Sequence, residues 1–451
     1  MKLPVFLRLY RLGTRAFSPV ARIFLARRRA RGKEDAARID ERRGIPSVVR
    51  PEGVLVWMHG ASVGETVSLL PLVERFIARG FSVLLTSGTV TSSRVMGQRL
   101  PEGAIHQFVP LDTPTFVARF LDHWAPDLAL VTESEIWPNM VLAAHARDIP
   151  LVLVNARLSE RSFRRWQYLP GFISALLERF DICLAQSDLD AERLRALGAP
   201  RVAVTGNMKF DVAPPPADHA RMGALRRAIG RRPLWIAAST HDGEELAALS
   251  AHTALAGTLP ELLTIIVPRH PERGQAVAAA AARQGLAVAR RSESDADGNL
   301  TLPAPDTAIY VADTIGELGL FYRLCRVAFL GGSLVRHGGQ NPIEPAKLDT
   351  ALLHGPYVRN FADIYAAFDG EGGAREVRDA EDLAAALAGL LSDGEEQNRI
   401  AAAAARVTAS LGGALERTLQ TLEPYLMHVL LARGGLAGQG KARGKARGLR
   451  R

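Results

Sequence analysis

Residues 59–66 read HGASVGET. Within them Gly60-Ala61-Ser62-Val63-Gly64 fits G-x-S-x-G, the sharp turn that exposes the serine of an α/β hydrolase. Glu65 follows at once. Three readings are open: Ser62 as a nucleophile, Glu65 as a proton acceptor, or a glycine-permitted turn whose glutamate favours the first turn of a helix. The hydrolase reading needs an acid and then a histidine in later strand-end loops, with the elbow placed after several strands. Here the elbow follows the first apolar run, and no such histidine stands out. A carboxylate at a Gly-rich strand end suits a different task, taking a proton from an attacking hydroxyl.

Other stretches have the same form, an apolar run followed by reactive side chains. In DLALVTESEIWPNMV (127–141), Glu133 and Glu135 follow a buried run. On an extended chain their i, i+2 spacing sends them to opposite sides, so one at most faces a given pocket. In NARLSERS (155–162), Arg157 and Arg161 can bind an anion or pair with nearby acids. In VTGNMKFD (204–211), Lys209 is a candidate for stabilising developing negative charge, or a surface lysine. In IIVPRHPER (265–273), Arg269 suits a phosphate. In VADTIGELGLFY (311–322), Asp313 or Thr314 can cap a helix whose N-terminus receives an anion. FLGGSLVRHGGQNPIEPA (329–346) brings glycine amides near a ligand. There Asn341 caps a helix with Pro342 at its first position, and Glu344 either returns the cap or accepts from ribose hydroxyls. The last three together point to a nucleotide mono- or diphosphate.

The elements that must position these residues alternate. Apolar runs near 54–58, 82–87, 105–109, 127–132, 150–154 and 181–185 are separated by segments of helix length. After RVAVTG (201–206) the Pro-rich and then basic segment 211–232 reads as a linker, and the alternation restarts with LWIAAS. Strand–helix alternation implies parallel sheets with right-handed crossovers. The expected class is α/β, with ligands beyond the carboxyl ends of the strands. Ala-rich helices follow about residue 380, and the last of them can cross back to the first domain.

Charge is segregated. Of 56 Lys and Arg, ten lie in residues 1–33 and seven in 433–451, stretches without an acid. The remaining 39 face 47 Asp and Glu, so an acidic body carries basic ends. A nucleic-acid partner is not expected, because its enzymes carry a basic face on the folded body. Basic ends suit an anionic membrane surface. The N-terminal segment mixes Leu, Phe and Ile with Arg8, Arg11, Arg15 and Arg22. It has no long uncharged run to span a bilayer and no convincing cleavage site, and it reads as a basic amphipathic helix in the interface. Two distant cysteines, no H-E-x-x-H and no Walker A loop argue against a disulfide framework, a dedicated transition-metal site and a P-loop.

Read in order, HGASVGE, TESEIWPN, NARLSERS, TGNMKFD, AASTHDGEE, VPRHPER, DTIGELGLFY and GGSLVRHGGQNPIEPA resemble the motifs of the 3-deoxy-D-manno-oct-2-ulosonic acid (Kdo) transferases of lipopolysaccharide synthesis. The resemblance spans roughly residues 45–430. It implies a GT-B fold, two Rossmann-like domains facing a central cleft. The expected divisions are a membrane-interface segment (1–40), an acceptor-side domain (41–210), the linker, a CMP-sugar domain (233–430) and a basic tail (431–451). It also implies inverting transfer of Kdo from CMP-Kdo to a lipid A precursor, with no cofactor or metal, at the cytoplasmic side of the cell inner membrane. Carried over by motif, Glu65 is the general base, and Glu133 and Lys209 stabilise the transition state. Pro268 and Arg269, then Ile315, Gly316 and Glu317, then Asn341, Pro342, Ile343 and Glu344 match CMP-contacting stretches. A GT-B transferase using another nucleotide sugar is the alternative.

Overall fold

The structure, a computed structural model, describes residues 3–294 and 300–448, with side chains through Arg433. The chain forms two compact units, residues 1–212 with 411–451, and residues 213–410.

The first unit is built on β1 (Leu55–His59), β2 (Ser82–Ser87), β3 (Ala104–Phe108), β4 (Leu128–Thr132), β5 (Leu151–Ala156), β6 (Ile182–Ala185) and β7 (Val202–Val204). They lie in the order β3-β2-β1-β4-β5-β6-β7, every pair parallel. Helices cover both faces, so both sides of each central strand are apolar. Leu55 and Trp57 enter one core with Phe120 and Trp124, while Val56 and Met58 enter the other with Leu69 and Phe76. This is the period-2 alternation of a strand buried on both faces.

The second core also contains Leu419, Leu422, Leu426 and Val429, from the helix Ala414–Gly448. Their spacing forms one apolar stripe. Asp211 accepts the amides of Gly413 (2.7 Å) and Leu415 (2.8 Å), and Arg417 donates to the Thr205 carbonyl (2.8 Å). The boundary expected at residue 430 thus differs from the fold: the chain returns to the first unit at Leu411. The expected basic tail lies, from residue 434 on, outside the described side chains.

At the N-terminus the helix Val5–Phe17 docks by Leu7 and by Tyr10, whose hydroxyl donates to Asp112 (2.9 Å). Val5, Phe6, Leu9 and Leu12 stay exposed, as do Ile23 and Phe24 of the helix Ala21–Ala30. Among the described residues no helix is long and apolar enough to cross a membrane.

The second unit holds β8 (Leu234–Thr240), β9 (Leu263–Pro268), β10 (Val288–Arg290), β11 (Ile309–Val311), β12 (Val327–Leu330), β13 (Ala351–His354) and β14 (Ala374–Glu376). They are parallel, in the order β10-β11-β9-β8-β12-β13-β14. The segment read as a linker is largely the helix His219–Ile229, capped by Asp218 and anchored by buried Leu225 and Ile229. Strand order reverses direction between β1 and β4 in one sheet and between β8 and β12 in the other, the places where doubly wound sheets bind ligands.

Candidate active site

At the first switch point, β1 ends at His59 and the helix Val63–Ala78 begins after only three residues. Gly60 permits this turn, since a Cβ there would meet the Glu65 Cβ and the Thr66 amide at 3.0 Å. Ser62 is the helix N-cap. Its hydroxyl accepts from the Glu65 amide (3.3 Å) and donates to Glu65 Oε1 (2.7 Å). The hydroxyl is therefore engaged by a carboxylate and not by an imidazole, which removes the basis for the hydrolase reading.

Glu65 Oε2 accepts from the Ala61 amide (2.8 Å), and the Thr132 hydroxyl lies 3.2 Å from it and 2.9 Å from the His59 carbonyl. Burial and then the charge of Glu133 raise the Glu65 pKa; the bonds from Ser62 and Ala61 offset part of this, and Glu135 adds to the rise.

Across the switch point, β4 runs into Glu133 at φ +50°, a left-handed conformation uncommon for a side chain with a Cβ. The Glu133 amide bonds to the Val154 carbonyl (3.1 Å), and its carboxylate pairs with Lys209 Nζ at 2.7 Å. Glu135 lies 3.7 Å from His59 Nε2 and accepts a hydrogen bond from the Trp137 indole N–H at 2.5 Å. Burial raises the Glu135 pKa, but the neighbouring His59 and the bond from Trp137 prevail and hold it below the usual carboxylate range. The extended geometry expected for this pair is not found: the chain turns at Glu133, whose carboxylate pairs with Lys209 while Glu135 accepts from Trp137.

Lys209 sits in the short turn Met208–Phe210. Asn155, at φ +51° and fully buried near the end of β5, accepts the Met208 amide at 3.0 Å and so fixes that turn. Asn155 and Thr132 were not singled out from the sequence. Their signal was a polar residue closing a buried apolar run, which is rarely tolerated without a partner. Arg161 lies in the helix Glu160–Gln167, where Glu160 is held by Arg164 (2.7 Å) and Arg193 (2.5 Å).

In the second unit Pro268 closes β9, and the exposed Arg269 donates its amide to the Thr240 carbonyl (2.9 Å). Ile315 and Gly316 are exposed, with Gly316 at φ +88°. Glu317 is buried and accepts from Arg291 (2.8 and 3.0 Å), Arg221 (3.2 Å) and Thr314 (2.5 Å). Burial opposes its ionisation, but the bonds from Arg291 and Thr314 win and depress its pKa. The capping expected of Asp313 or Thr314 is not found: Asp313 pairs with Arg290 (2.9 Å), and the helix Leu318–Leu324 has no side-chain cap. The helix after Asn341 starts at Ile343, not Pro342. Asn341 Oδ1 accepts the Ile343 amide (3.1 Å), and Asn341 Nδ2 donates to Glu344 (3.3 Å). Pro342 and Ile343 are buried beneath them.

One carboxylate of the AASTHDGEE motif has no role assigned to it from the sequence. Glu244, in the first turn of the helix Glu244–Ala256, is 1% exposed and accepts four backbone amides. Near it the His241 ring stacks on His337 with centroids 3.8 Å apart, and Gln340 Nε2 contacts its Nε2 at 3.0 Å. Burial and the neighbouring His337, His270 and Arg269 push His241 down to about 4. Among the described residues no group of three or more His, Cys, Asp or Glu is placed to hold a metal ion.

A family model described as 3-deoxy-D-manno-octulosonic-acid transferase (kdotransferase) matches residues 37–212. A probable mitochondrial 3-deoxy-D-manno-octulosonic acid transferase of Arabidopsis thaliana is 38% identical over 381 residues, 81% of this chain and 83% of that one. The 3-deoxy-D-manno-octulosonic acid transferase of Haemophilus influenzae is 35% identical over 85% of this chain and 89% of its own. Among solved structures, a putative UDP-N-acetylglucosamine 2-epimerase of Listeria monocytogenes is similar with a TM-score of 0.58 at 14% identity, over 84% of this chain and 98% of that one. A glycosyltransferase of Rickettsia africae gives 0.56 at 12%, over 83% and 99%. These last two speak for the GT-B fold alone. Identity above one third, sustained along four-fifths of the sequence, places the chain in the 3-deoxy-D-manno-octulosonic acid transferase family, and it is a glycosyltransferase.

Proposed function

We propose that this chain transfers Kdo from CMP-Kdo to a hydroxyl of a lipid A precursor, with inversion, and that Glu65 is the general base. The observation that carries this reading is the Glu65 carboxylate. It lies at a switch point, its proton affinity is raised by burial and by Glu133, and no cation is paired with it among the described residues.

The acceptor hydroxyl gives its proton to Glu65 as its oxygen bonds to the anomeric carbon. The bond from that carbon to the phosphate oxygen breaks, and CMP leaves with the electron pair. A single displacement inverts the anomeric centre. Lys209, held by Glu133 and by the Asn155-anchored turn, opposes the negative charge that develops. In the second unit Arg269 takes the phosphate, and Asn341 and Glu344 take the nucleoside hydroxyls. Because the Glu317 carboxylate is already engaged by two guanidiniums, the stretch 315–317 offers the ligand its backbone.

The exposed Val5, Phe6, Leu9 and Leu12 beside Arg8, Arg11 and Arg15 support attachment to an anionic lipid surface, the cytoplasmic face of the inner membrane. Incubation with CMP-Kdo and tetraacylated lipid A precursor should give a product heavier by one or more Kdo units, read by mass spectrometry. Product from a UDP- or GDP-sugar, with none from CMP-Kdo, would overturn the donor assignment.

A further inference from the structure

Glu244 has no role in the function proposed above, yet it is among the most enclosed charged side chains of the second unit. Its Oε2 accepts the amides of His241 (2.9 Å) and Gly332 (2.6 Å), and its Oε1 those of Ser333 and Leu334 (both 2.9 Å). All four donors are backbone, and no Lys or Arg pairs with it among the described residues. Two oxygens facing four N–H groups is a pattern only an ionised carboxyl fills, since a protonated one would set its own hydrogen against a donor.

The amides belong to two chain segments, one leaving β8 and one leaving β12, the strands that flank the switch point. The same segments carry the proposed donor contacts. The Thr240 carbonyl, beside His241, accepts the Arg269 amide (2.9 Å). The Gly332 carbonyl accepts the amides of Gly338 (3.0 Å) and Gly339 (2.7 Å), and the chain then continues through Gln340 to Asn341. Gly331 is pressed against β8: a Cβ there would lie 2.5 Å from the Ser239 carbonyl oxygen. The loop therefore has one tight approach and one charged peg.

We propose that Glu244 is a positioning residue for the donor. It does not touch the ligand; it fixes the 332–341 loop and the end of β8, so that Arg269 and Asn341 are presented before the nucleotide arrives. This rests on the donor reading of the second unit. Preorganisation of this kind appears as affinity, because a loose loop must be ordered on binding.

The test uses the full chain with Glu244→Gln and Glu244→Asp. Glutamine has one acceptor oxygen, and its NH₂ would face two donors; aspartate keeps the charge but is shorter. Glu244→Gln should raise the donor KM and the CMP inhibition constant about tenfold, the scale of one lost charge-assisted bond. The acceptor KM should stay within about twofold, and Glu244→Asp should fall between. Hydrogen exchange, followed by mass spectrometry without nucleotide, should speed up at 331–341 but not in β8 or β12. A lowered active fraction with unchanged donor KM and unchanged loop exchange would overturn the proposal. If Glu244→Gln does not fold, Glu244→Asp carries the same two readings. A wild-type chain that binds no CMP would sink the donor reading instead, and the exchange result would stand apart from it.

Discussion

Glu65 and Glu244 hold the same place in two copies of one architecture. Each lies in the first turn of the helix that follows the first strand of its sheet, and each stands at a switch point. Their surroundings differ. Glu244 receives four backbone amides and is closed from solvent. Glu65 receives one amide and two side-chain hydroxyls, is partly open, and has two further carboxylates acting on it. A carboxylate saturated with amides serves as a structural anchor. One short of donors and crowded by like charge is poised to accept a proton. The fold supplies the position, and the count of donors decides the task.

The largest expected effect tests that division. Glu65→Gln removes the acceptor while nearly keeping the shape. It should lower transfer by about 10²–10⁴-fold, the usual worth of a general base. Stability should change by about 1 kcal/mol or less, since a first-turn dipole contact is worth no more. Steady-state rates beside a denaturation curve give both numbers. A stable loss without a rate effect would make the two glutamates alike after all.

The second unit should break differently. Glu317→Ala leaves Arg291, 2% exposed, without its partner. Breaking such a buried pair costs about 3–5 kcal/mol, so the unfolding transition of this unit should move far more than the CMP affinity of the molecules still folded. The sign with pH follows from the depressed Glu317 pKa. Its contribution is present above the unfolded value and lost as pH falls through the lower folded one, so the wild type and Glu317→Ala should converge in acid.

Glu65, with its pKa raised, titrates the other way. The base is disabled below its folded pKa, so the acid limb of the rate profile should lie above the usual carboxylate range. Glu133→Gln removes the largest charge acting on it and should move that limb to lower pH, whatever it does to the plateau through Lys209. A limb that stays put would detach Glu65 from the pH profile.

The two glutamates were not equally legible in the sequence. HGASVGE marks Glu65 because glycines, a hydroxyl and an acid crowd one strand end. Glu244 sits in THDGEE, one of the motifs of the resemblance, where nothing in the spelling names a partner for it. Three of its four partners are backbone amides 88 to 90 residues away, and amides leave no mark in side-chain spelling. The same limit explains Asn155, whose partner is the Met208 amide. Apolar runs gave away the strands from β1 to β12. β13 was hidden in the short ALLH and β14 in the polar ARE, an edge strand with two exposed residues. Glu133 was visible, but its left-handed turn was not, because nothing short of the fold forces φ +50° on a glutamate.

The smallest effect probes the donor count itself. Ser62 performs two tasks through one oxygen: it accepts the Glu65 amide as helix cap and donates its proton to the Glu65 carboxylate. Ser62→Ala removes both. Loss of the cap should cost about 1 kcal/mol of stability in the first unit. Loss of the donated proton takes away a bond that favours the ionised form, so the Glu65 pKa should rise further and the acid limb should move to higher pH, opposite in sign to Glu133→Gln. The plateau rate should hardly change, because a serine that only caps does no chemistry. Here two readings of HGASVGET part: a nucleophilic Ser62 would take the whole activity with it at every pH, whereas a donor to Glu65 leaves the plateau in place and moves only the pH at which it is reached.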